Sequence, residues 1–148
     1  MYLLDTDALS FTSPKSRLAG DGAEAWRSWV RRNRERLFIS VVTIMEIRFG
    51  VEKLRAKGAS RKGAALAKWL LIGETIYRDR IVWVSPEIAH RAGEMLARAE
   101  RAGVMPGSED AIIAASAEVS GFRLVTGNER HMRALGVAWL NPLGALPE

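Results

Sequence analysis

Tyr2-Leu3-Leu4-Asp5-Thr6-Asp7 opens the chain with an apolar run that stops at a carboxylate. Such a run reads as a short buried strand, and open α/β sheets bind their ligands just beyond the carboxyl ends of strands. Asp5 is therefore the first candidate functional residue. Beyond it, short apolar runs alternate with longer amphipathic ones. Strands are predicted at 2–5, 37–40, 81–84, 124–126 and 138–140, and helices at 22–34, 42–57, 60–78, 87–103, 109–120 and 128–135. This alternation implies an α/β fold, a parallel sheet of about five strands with helices on both faces in three layers. A single domain spanning 1–148 is expected. The segment 12–22, with Pro14, Gly20 and Gly22, reads as a loop, and 58–60 as the turn of a helical hairpin.

Composition narrows the chemistry. Of 148 residues, 48% are hydrophobic and 26% charged, too aliphatic a mixture for disorder. Cysteine is absent, which excludes disulfides, thiolate metal sites and a cysteine nucleophile, and fits a reducing cytoplasm, the expected location. Asp5 and Asp7 break the first apolar run before it forms a secretory core, and the apolar stretch 69–73 is far too short to cross a bilayer, so no membrane association is expected. A net charge of +5 and a pI of about 10.1 suit a polyanionic partner. The plain alternative is a basic protein with solvated charges.

Two further carboxylates lie in apolar surroundings. Glu46 falls in Val42-Thr43-Ile44-Met45-Glu46-Ile47-Arg48-Phe49-Gly50, where helical spacing puts Val42, Phe49 and Gly50 beside it. A half-buried acid there needs a cation or a hydrogen-bond network, and Arg48 is one candidate partner. Asp110 opens Asp110-Ala111-Ile112-Ile113-Ala114-Ala115-Ser116-Ala117 and heads a face of small apolar residues, although a first-turn acid also suits the helix dipole. Leu124-Val125-Thr126-Gly127-Asn128-Glu129 runs from strand to helix. Thr126 and Glu129 have capping-box spacing, yet their strand ends on the same edge as Asp5.

In order and spacing, the segments 2–7, 40–50, 110–117, 124–128 and Leu140-Asn141-Pro142 resemble PIN-domain ribonucleases, in particular the VapC-like toxins of toxin-antitoxin pairs. The resemblance implies an acidic pocket of Asp5, Glu46 and Asp110 that binds Mg²⁺, with Mn²⁺ as a substitute. Asp5 and Asp110 would ligate directly, and Glu46 would bind an ion or orient water. Thr6 and Thr126 would support them by hydrogen bonds. Relatives commonly carry a fourth acid at the position of Asn128 or His131. Here Asn128 offers a neutral oxygen instead, with Glu129 adjacent. Asp7 stands where relatives often have Asn, and also suits an N-cap.

The resemblance further implies structured RNA such as tRNA or rRNA as substrate, a VapB-like antitoxin as partner, and a homodimer. Two basic clusters suit a phosphate groove as well as a solvated face: Arg31, Arg32, Arg34 and Arg36, and Lys53, Arg55, Lys57, Arg61 and Lys62. Trp26, Trp29, Trp69, Trp83 and Trp139 fall within helix or strand patterns and are expected in the core or an interface. His90 and His131 are read as helix-surface residues, with His131 the one near enough to serve the pocket. Two alternatives stand beside the nuclease: a haloacid-dehalogenase-like phosphatase using Asp5 and Asp7, and a PIN-fold binding module with a weakened pocket.

Overall fold

A computed structural model describes residues 1–13 and 20–147. Five parallel strands form one sheet in the order β3-β2-β1-β4-β5: β1 (Tyr2–Leu4), β2 (Leu37–Ser40), β3 (Ile81–Val82), β4 (Arg123–Val125) and β5 (Trp139–Leu140). The helices among the described residues are α1 (Thr6–Ser10), α2 (Asp21–Asn33), α3 (Val41–Ala56), α4 (Ser60–Ile76), α5 (Pro86–Arg101), α6 (Ser108–Val119) and α7 (Glu129–Leu135). All five expected strands and six expected helices form, with ends displaced by a residue or two. Of the loop expected at 12–22, positions 14–19, including Pro14, lie outside the described residues.

β1 is the central strand, buried along its whole length, and its side chains alternate between two cores. Leu3 faces one core with Leu124, Met95, Ile113 and the small face of α6. Tyr2 and Leu4 face the other, with Leu37, Ile39, Val125, Trp26 and Trp29. Fully burying a leucine contributes roughly 1.5–3 kcal/mol, so the shortness of this strand is offset by complete burial on both faces. The alanines of α6 let that helix lie close to its neighbours, which brings its first turn and Asp110 to the sheet.

Helix ends follow local chemistry, with two departures from the expected caps. Ser40 caps α3 by accepting from the Val42 N–H at 3.2 Å, and Ser85 caps α5 through the Ile88 N–H at 3.2 Å. Gly136 ends α7 in the left-handed region at φ 77°. There its N–H bonds to the Met132 carbonyl, and a side chain would collide with the Arg98 guanidinium. Asp7 does not cap a helix: Asp5 caps α1, and Asp7 lies in its first turn. Thr126 and Glu129 do not form a capping box either, because Asn128 occupies the N-cap of α7 and its side chain makes no capping bond.

Candidate active site

The pocket forms where the chain order reverses, between β1 and β4, at the carboxyl ends of the strands. Asp5 follows β1 directly. Its N–H bonds to the Val125 carbonyl at 3.0 Å, and its Oδ1 accepts from the Ala8 N–H at 2.7 Å. Thr126, fully buried after β4, is held by its N–H on the Leu140 carbonyl. Its hydroxyl bonds to the Asp5 carboxylate and accepts from the Asn128 N–H at 2.9 Å. Glu129 instead accepts from Asn141 at 2.8 Å. The two capping-box residues are thus used by tertiary partners, and the Thr126 hydroxyl joins the pocket.

Asp5 is only 8% exposed. Burial pushes its carboxyl up to about 7, and the charges of Asp7 and Asp110 add to the rise, while bonds from Thr126 and Ala8 oppose it. Glu46 on α3 is half-buried and likewise raised, first by burial and then by Asp110, Glu109 and Asp7. Its one opposing contact is the Thr6 hydroxyl, which donates to Oε2. Arg48, the candidate partner, turns outward to Glu52 at 3.9 Å. Thr6 on α1 therefore supplies the network that the burial of Glu46 demands.

Asp110, in the first turn of α6, is half-buried, and its Oδ2 stands 2.6 Å from His131 Nδ1 and 3.4 Å from Asn128 Nδ2. Asn128 Nδ2 also lies 2.8 Å from that same Nδ1. If Nδ1–H donates to Asp110, the Asn128 amide presents a second donor to it. With a cation between them, a turned amide would instead present Oδ1 beside the Asp110 carboxylate. His131 is thus a member of the cluster, one helical turn beyond Asn128. The sequence signal was its spacing, and only the packing of α7 against α6 shows that the spacing is used. Asp7 is exposed and reaches Asp5 and Glu46 only through its charge.

The structure thus brings Asp5, Thr6, Glu46, Asp110, Thr126 and Asn128 to one sheet edge. Among the described residues no three Asp, Glu or His side chains are already gathered as a metal cage. Each carboxylate is turned to a protein donor instead: Asp5 to Ala8 and Thr126, Glu46 to Thr6, Asp110 to His131. Of the tryptophans expected in the core or an interface, Trp26 and Trp29 stack in the core at 5.4 Å, whereas Trp83, just past the edge strand β3, is 72% exposed and outside the core.

The PIN domain family profile matches residues 2–137. The chain belongs to the PIN domain family. This PIN domain is 28% identical over 143 residues to the plasmid stability protein StbB of Pseudomonas syringae pv. tomato, covering 96% of this chain and 98% of that protein. It is 26% identical over 145 residues to the VapC ribonuclease Y4jK of Sinorhizobium fredii, covering 96% and 97%. In fold it is similar to a chain of FitAcB from Neisseria gonorrhoeae, with TM-score 0.80, 25% identity and coverage of 96% and 98%. It also matches a chain of VapBC2 from Rickettsia felis, solved with a promoter DNA fragment, at TM-score 0.73 and 22% identity over 95% and 96% of the two chains. The resemblance to VapC-like PIN domains read from the sequence holds in both comparisons. No helix among the described residues is long and apolar enough to cross a membrane.

Proposed function

We propose that this PIN domain is a divalent-metal-dependent endoribonuclease, the toxin of a toxin-antitoxin pair, which hydrolyses phosphodiester bonds in structured RNA. The observation that carries the reading is the crowding of like charge: Asp5 and Glu46 are both raised, and Asp110 and Asp7 contribute to both. A pocket that keeps uncompensated carboxylates at a sheet edge suits a cation, and an all-oxygen donor set suits Mg²⁺ or Mn²⁺. Asp5 and Asp110 would hold the ion directly, joined by Glu46 and by Asn128 through Oδ1. A bound ion supplies a more acidic water and offsets charge on the scissile phosphate. Thr126 fixes the Asp5 carboxylate in place, and Thr6 orients Glu46, which is positioned to take a proton from an incoming water.

Family membership favours the nuclease over the phosphatase reading of Asp5 and Asp7, and the similarity to a VapC ribonuclease favours RNA as substrate. The antitoxin would lie on the apolar surface of α3 and α4, where Met45, Phe49, Leu71, Ile72 and Ile76 are exposed. Phe49 lies one helical turn from Glu46, so an amphipathic helix seated there would bring a basic side chain toward the carboxylates. A homodimer is proposed as well, and the mass in solution tests it.

Purified, antitoxin-free protein should cut RNA with Mg²⁺ or Mn²⁺ and stop with EDTA. Equal cleavage by an Asp5→Asn/Asp110→Asn double variant sinks the reading. If the wild type binds no Mn²⁺ and Asp5→Asn loses nothing, the weakened binding module replaces it.

A further inference from the structure

The opposite edge of the sheet carries charge that the carboxylate pocket does not use. β2 and β3 are each entered from a 3-10 turn, Arg34–Arg36 and Arg78–Arg80, and β4 begins at Arg123. Because β3, β2, β1 and β4 are parallel neighbours, Arg34, Arg36, Arg78, Arg80 and Arg123 fall along the amino ends of the strands. With strands about 4.8 Å apart, the band is roughly 14 Å long from β3 to β4.

The band is built and continuous. Arg80 joins the two turns by donating from Nη1 to the Arg34 carbonyl, and from Nη2 to the Ile76 carbonyl at 2.8 Å. Its guanidinium lies 5.3 Å from the centre of the Tyr77 ring. The Arg36 guanidinium lies 5.3 Å from the centre of the Tyr2 ring, and Tyr2 is in register with Leu37 on one side and Arg123 on the other. The acids within the turns are Glu35, paired with Arg34 at 2.9 Å, and Asp79. Among the described residues Arg36, Arg78 and Arg123 have no carboxylate within ion-pair distance, and all three are exposed.

We propose that this arginine band is a phosphate-binding surface for a structured RNA, gripping a part of the substrate remote from the bond that is cut; the proposal rests on the ribonuclease reading above. Planar guanidinium forks set on a rigid strand edge match phosphate oxygens two at a time. Tyr2 and Tyr77 are buried beneath their arginines and offer no face for base stacking, so the contact proposed is to the phosphate backbone. Pocket and band lie at opposite ends of the strands, so a folded RNA with separate arms is the substrate shape that would engage both at once.

The test uses the full chain, free of antitoxin and in EDTA so that RNA stays intact, with a folded tRNA transcript as probe. Arg36→Gln/Arg78→Gln/Arg123→Gln spares Arg34 and Arg80, which tie the turns together. It should weaken binding at least tenfold at low salt and flatten the log–log salt dependence by about 2–3, one step per lost phosphate contact. Lys57→Gln/Arg61→Gln/Lys62→Gln, which removes equal charge from the α3–α4 hairpin, should leave that slope near the wild-type value. If the triple variant does not fold, Arg78→Gln alone should lower the slope by about 1. An unchanged slope, an equal loss in the hairpin variant, or an equal loss of binding to polyglutamate overturns the proposal. Wild-type protein that binds tRNA through the band but never cuts RNA with Mn²⁺ overturns the nuclease reading and leaves the band; cleavage with an unchanged slope does the reverse.

Discussion

Asp5→Asn should stabilise the metal-free protein, and increasingly so as the pH rises. The wild-type carboxyl moves from 3.8 to about 7 on folding, so between those values the folded state binds more protons than the unfolded one. Stability therefore falls as pH rises through that window, and the full penalty is present above about 7. Ionising this buried group costs about 4 kcal/mol at pH 8 and about 1.5 kcal/mol at pH 5. Asparagine keeps an Oδ1 to accept from the Ala8 N–H, so the cap on α1 survives. Urea unfolding in EDTA should show the wild type losing about 2–3 kcal/mol more than the variant between pH 5 and pH 8. Adding Mn²⁺ at pH 8 should reverse the order, because a cation stabilises only the protein that retains the carboxylate. Parallel pH profiles, or a variant less stable than wild type at pH 8 in EDTA, would refute the reasoning.

Three further outcomes are expected. Thr6→Val removes the hydrogen bond that holds Glu46 down, so its carboxyl should titrate higher by NMR; a lower value contradicts the assigned role. His131→Ala frees an Asp110 oxygen and should tighten Mn²⁺ binding measured by calorimetry, whereas weaker binding would make His131 a supporting member of the site. Gly136→Ala forces a side chain into left-handed backbone and against Arg98, and should cost at least about 1–2 kcal/mol by urea denaturation.

What the sequence made legible was the part governed by local pattern. β1, β2 and β4 are apolar runs ended by polar residues, and the long helices have clear periods, so their identities followed. α1 was missed because Thr6–Ser10 is five residues long and is fixed by the Asp5 cap rather than by its own periodicity. The pocket carboxylates were legible as acids in apolar segments, and the family resemblance offered Thr6 and Thr126 as their support, but which acid each partner serves was not legible. Thr6 reaches Glu46 across forty positions of chain and His131 reaches Asp110 across twenty-one, distances at which helix spacing says nothing. Thr126 had two expected roles, a capping box by local spacing and support of the pocket by resemblance, and the packing of β4 beside β1 directs its hydroxyl to Asp5.

The central seat of β1 also orders events in time. Residues 2–4 are made well before one of their two strand partners, residues 123–125, and the pocket they edge needs Asp110 and Asn128 as well. A nascent chain that stops before Asn128 lacks one of the groups around the pocket. A message cut short before that point, or a ribosome stalled there, releases a fragment in which the groups around Asp5 are incomplete.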